Sequence, residues 1–258
     1  MIVHWDDEKD AIRPVLASEI DSFARRGFAE RYRDWLRVMA EIVLPRVGTA
    51  DQRIQDTAKR LIGELDQSGI SVLLALPMLL YLDSDSYDEI VRRMRVGLVS
   101  TDEELVGGAA EGLHYWILRH ASQEDICPPP EALLDELVNR ALGRRHAGLK
   151  LVLARLRDIA KNVPRILSDQ QIEELCLALE YLLSETSLPS HEDRNDQEQI
   201  AATIPVDQRP DHRAIAAQLA FQLARELRRR DAEAPQILAE WERASQSDPL
   251  PEVRRAWR

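Results

Sequence analysis

The chain has 258 residues and a formal net charge of -11, with 45% hydrophobic, 31% charged and 5% aromatic residues. Its apolar content is enough for a sizeable core, while the few aromatics and the 10 glycines argue against an all-β fold, which needs many turns and β-branched or aromatic strands. An acidic surface repels phosphate backbones and anionic lipid, which argues against generic nucleic-acid or membrane binding.

The N-terminus, Met1 to Asp10, is acidic rather than basic-then-apolar, unlike a secretory signal. Helical periodicity then predicts helices over 18–26, 29–43, 50–65, 72–82 and 86–99. The apolar run from Ile70 to Leu82 is too short to span a bilayer and reads as a buried core helix, so the expected compartment is the cytoplasm. Asp83 to Glu89 has the look of a calcium loop, but Asp88 stands where the loop needs Gly and Met94 where it needs a bidentate Glu. Helix capping by Asp85 or Ser86 is the better account.

Thr101 and Glu104 form a candidate capping box for the next helix, with Leu105, Ala109, Leu113, Trp116 and Ile117 on one side. Gly108 and Gly112 cost helix stability, roughly 1 kcal/mol each against Ala, and expect a closely approaching neighbour helix. His114 and His120 are six apart, so they do not share a face as an i, i+4 metal pair would. Further helices are expected over 130–142, 147–162 and 169–184, the last opened by a capping box of Ser168 and Gln171. Its stripe runs Ile172, Leu175, Cys176, Leu179, Leu182 and Leu183, and Leu177 and Tyr181 carry apolar surface past that face, as on a helix sandwiched between layers.

Residues 185–211 break the pattern with a polar stretch bearing turn formers, expected to be a flexible internal loop. The metal-capable side chains there, His191, Glu192, Asp193 and Asp196, read as a solvated polar loop. Helices resume over 211–230 and 235–245. A last one is expected from Asp248, with Asp248 as N-cap, Pro249 at the first helical position, and Val253, Ala256 and Trp257 on one face.

This Asp-Pro-x-x-x-Val-Arg-x-Ala pattern resembles the start of the second helix of a HEAT repeat, and Thr101–Ala109 resembles it in turn, with Gly107 where Arg254 stands. The resemblance implies an all-α fold, a HEAT-like α-solenoid of stacked antiparallel helix pairs forming a single helical-repeat domain over 1–258. It further implies a protein-binding scaffold or interaction module, part of a larger bacterial protein or complex. Basic residues that are nearly all Arg fit a GC-rich bacterial genome. The alternative it implies is a nucleic-acid-acting enzyme of the alkylpurine DNA glycosylase type, which the acidic charge disfavours; pigment handling of the phycobilin-lyase type shares only the fold. A last helix this short leaves Trp257 at an open end, where it expects a neighbour from further repeats or a partner.

Three arginine groups are candidates for anion or acidic-partner contacts: Arg92, Arg93 and Arg95; Arg144 and Arg145; and Arg225, Arg228, Arg229 and Arg230. A solenoid that brings them onto one concave face would hold a phosphate or an acidic peptide; solvated or intrachain-paired arginine is the simpler account. No phosphate loop, nucleophile elbow or zinc-protease motif is present, so no catalytic, cofactor or metal residue is nominated. Cys127 and Cys176, the two cysteines, do not form a disulfide framework.

Overall fold

The computed structural model describes residues 84–122, 126–143, 148–186 and 204–257, and among them it is all-helical, with no strand. The helices expected over 18–26, 29–43, 50–65 and 72–82 lie outside the described residues, as does 187–203, the greater part of the expected loop. After a 3₁₀ turn at Ser84–Ser86 come α1 (Tyr87–Val99), α2 (Glu103–Ser122), α3 (Glu131–Leu142) and α4 (Leu149–Asn162). They are followed by α5 (Asp169–Glu185), α6 (Arg209–Arg229), α7 (Gln236–Ser247) and α8 (Pro251–Ala256).

The order of packing is regular. Within the pairs α1–α2, α3–α4, α5–α6 and α7–α8, each helix packs on its sequence neighbour. Across pairs, α1 packs on α3, α3 on α5 and α5 on α7; likewise α2 packs on α4, α4 on α6 and α6 on α8. Odd and even helices therefore form two rows, and the core lies between them. Met94, Leu113, Trp116, Leu137, Leu153, Leu179, Leu223 and Trp241 are all fully buried there. Each such side chain withdrawn from water contributes about 1.5–3 kcal/mol.

Local chemistry accounts for several element ends. Ser168 caps α5 in the reciprocal box expected of it: its hydroxyl accepts from Gln171 N at 3.2 Å, and its own amide donates to Gln171 Oε1 at 2.9 Å. The same Gln171 donates from Nε2 to Asp135 Oδ1 of α3 at 2.6 Å, so the cap also ties two helices of the odd row. At α2 the cap is Asp102 rather than Thr101. Its Oδ1 accepts from Glu104 N at 2.9 Å and from Leu105 N at 3.4 Å, because a carboxylate reaches two free amides of the first turn.

Gly148 precedes α4 with φ +72°, and a Cβ there would stand 2.6 Å from Val106 Cγ1. Among the described residues, a close approach on α2 is seen at Gly107, where a Cβ would come within 2.5 Å of Leu151 Cδ1 of α4.

Two further expectations are corrected. The segment expected as a loop over 185–211 is helical from Arg209, with Pro210 seated in the first turn of α6 where no amide donor is needed. The last helix starts at Pro251, not Pro249, and Asp248 is not its N-cap. Asp248 closes α7 instead, and its side chain is turned inward, 1% exposed, where its Oδ2 accepts from Arg213 Nε at 2.6 Å. Its Oδ1 accepts from Leu250 N at 3.0 Å, which turns the chain from α7 into α8. Trp257, partly buried, stacks edge-on against Phe221 of α6 at 5.5 Å.

Candidate functional site

The arginine groups are placed on different rows. Arg92, Arg93 and Arg95 stand on α1 of the odd row, and Arg225, Arg228 and Arg229 on α6 of the even row, with Arg230 just past its end. Arg144 and Arg145 lie outside the described residues. Arg92 grips Glu89 through Nε and Nη2 at 2.8 and 2.7 Å, and Arg93 Nε adds 2.5 Å. These hydrogen bonds, Arg92 first, hold the Glu89 carboxyl down at about 2, against 4.5 ordinarily. Arg95 reaches Glu136 of α3 at 3.8 Å, an exposed pair of little energetic weight.

Arg230 is a structural clamp. It donates to Glu226 Oε1 (3.0 Å), Asp169 Oδ1 (2.8 Å) and Leu167 O (2.6 Å), pinning the α4–α5 connection against the end of α6. Glu226 is nearly inaccessible and also accepts from Arg165 N at 2.8 Å, while Arg229 stands 3.5 Å from its other oxygen. Arg225 and Arg228 are exposed on α6.

A second buried network joins the two rows. Besides the Asp248 contact, Arg213 donates from Nη1 to Leu183 O at 3.2 Å and lies over the Trp241 ring, 5.4 Å from its centroid. Trp241 Nε1 donates to Leu179 O at 3.1 Å. α5, α6, α7 and the turn into α8 thus meet at one buried cation.

Among the described residues, a groove lies between α5 and α7. It encloses about 520 Å³ on the odd row. Leu177, Cys176, Pro235 and Ile237 supply an apolar floor, and Glu173, Glu180 and Glu240 edge it. Leu177 is 57% exposed, so the apolar surface that α5 carries past its stripe is left open at that residue, whereas Tyr181 packs against the core. Leu177 outside the α5 stripe was the sequence signal for the groove; the facing Ile237 and Glu240 come from a helix sixty residues on and gave no local sign.

The chemistry of the titratable groups is informative. Burial, aided by the Glu173 carboxylate, pushes the Cys176 thiol up to about 11, so it is protonated at neutral pH and is not an activated nucleophile. His114, 5% exposed, is pushed down to about 4 by burial and then by Arg155. It is neutral at physiological pH, and neither ring nitrogen has a hydrogen-bond partner among the described residues. Also among the described residues, no three His, Cys, Asp or Glu side chains are grouped to hold a metal, and no helix is long and apolar enough to cross a membrane. No family model, curated protein or solved structure matches this chain.

Proposed function

We propose that the chain is a non-catalytic protein-binding scaffold, built as a HEAT-like α-solenoid and acting in the bacterial cytoplasm as part of a larger protein or complex. The observation that carries this reading is the packing order: helix pairs follow one another in chain order, each helix lying against its sequence neighbour in the pair and against the next helix but one. Stacking of that kind buries a continuous core between two rows and leaves an extended outer face on each, a geometry suited to long partner segments. The groove on the odd row supplies such a face with both apolar and charged character. Arg225 and Arg228 offer a separate place on the even row for an acidic contact.

The test is capture of partners from the native host on the immobilised chain, followed by reconstitution from purified components. A stoichiometric complex that reforms from the purified proteins is expected. Failure of every captured protein to rebind in purified form overturns the scaffold reading. Excision of alkylated bases from duplex DNA, or salt-sensitive duplex binding at micromolar affinity or better, would replace it with the glycosylase alternative.

A further inference from the structure

The α5–α7 groove has a chemistry specific enough to define its occupant. Glu173, Cys176, Leu177 and Glu180 follow one another at spacings of three, one and three, so they lie along one strip of α5. The two carboxylates bracket Leu177 and are about 10.5 Å apart along the axis, at 1.5 Å per residue. Across the groove, α7 contributes Ile237 beside Leu177 and Glu240 one turn further on.

Among the described residues, the charged side chains lining the groove, Glu173, Glu180 and Glu240, are all acidic. α5 carries Asp169, Glu173, Glu174, Glu180 and Glu185, with no Lys or Arg along its length. On α7 the cation is Arg243, which does not line the groove and whose Nε donates to Ala239 O. An exposed leucine over an apolar floor, edged by carboxylates, is costly to leave in water and equally hostile to an acidic ligand.

We propose that this groove is a docking site for a basic amphipathic helix of a partner protein. That helix places a large apolar side chain over Leu177 and Ile237 and sets Lys or Arg about two turns apart against Glu173 and Glu180. A helix fits because residues seven apart recur on the same face with the spacing of the two carboxylates. The apolar floor supplies affinity, and the carboxylates set register and speed encounter. The proposal rests on the scaffold reading and names the chemistry of one of its partners.

The experiment is a selection of displayed, randomised helical peptides on the full chain, with the most enriched peptide then synthesised as the probe. Enriched sequences are expected to carry Lys or Arg seven apart around a central apolar residue and to shift the Leu177 and Ile237 methyl resonances. Probe binding should weaken at least tenfold on Leu177→Asp, and to a similar extent on Glu173→Gln combined with Glu180→Gln. All three residues are exposed, so the variants are expected to keep the parent's helical circular dichroism. Enrichment of peptides without cations, or equal binding to parent and variants, overturns the proposal, as does a selection yielding no binder. Probes that shift methyls of other helices overturn it while leaving the scaffold reading intact, since that reading is decided by reconstitution with native partners.

Discussion

Asp102 and Asp248 stand within three residues of the starts of α2 and α8, and they do different work. Asp102 faces water and caps the first turn of α2 with one oxygen. Asp248 is inside the protein, closes α7 and neutralises Arg213, itself buried under Trp241. The contrast shows that the same residue type shortly before a helix is a modest helix cap where solvent can compete. It becomes a structural linchpin where a buried cation has no other carboxylate to turn to.

The largest expected effect separates the two. Asp248→Ala leaves the Arg213 guanidinium buried beside the neutral oxygens of the Leu183 carbonyl and the Thr186 hydroxyl and should cost about 3–5 kcal/mol in urea unfolding. Replacing Arg213 and Asp248 together by leucine should recover most of that loss, because no uncompensated charge remains. A loss from Asp248→Ala as small as a surface cap's would erase the distinction.

Next is an acid effect on the α2 side. His114 on α2 faces Arg155, Arg157 and Asp158 of α4, and its folded-state pKa lies near 4, below the ordinary 6.5. As pH falls, the unfolded chain takes up this proton first, so stability declines from about pH 6.5 to about pH 4 and is unaffected by this group above that window. The decline should amount to about 3 kcal/mol. His114→Leu should flatten the stability profile between pH 6.5 and 4.5. An unchanged slope would show that His114 stays solvated in the folded protein.

Gly148→Ala probes the base of α2 from the other side. The positive φ and the overlap with Val106, which is itself fully buried, should together cost about 2 kcal/mol. Smallest of all is Asp102→Ala, expected at about 1 kcal/mol and rescued by Asp102→Ser. An Asp102→Ala cost equal to that of Asp248→Ala would mean that the two aspartates are energetically alike after all.

Much of the helical layout was legible residue by residue. The stripes of α3, α4 and α5 were read to within two residues of their observed ends, and the Ser168–Gln171 box formed as its spacing required. These signals are local: a cap and its amides are three residues apart, and an apolar stripe repeats every turn. The misreadings also have physical causes. Thr101 lost the α2 cap to its neighbour Asp102, whose carboxylate accepts two amides. Asp248 and Pro249 carried the right residues for a helix start, but Arg213, thirty-five residues earlier, claimed the carboxylate for an ion pair.

Within the described residues, the sequence by itself determined the all-helical layout and several helix ends, and it set the acidic net charge, because period, caps and charge are written within a few residues of where they act. Only the tertiary structure decided which helices share a row, that Glu226 and Arg230 clamp the α4–α5 connection, and that Leu177 and Ile237 meet across an acidic groove. The clamp and the groove join residues about sixty positions apart, and helices of one row are likewise far from one another in the chain. Their energies depend on distance and burial in three dimensions, and neither is encoded in any short window of the chain.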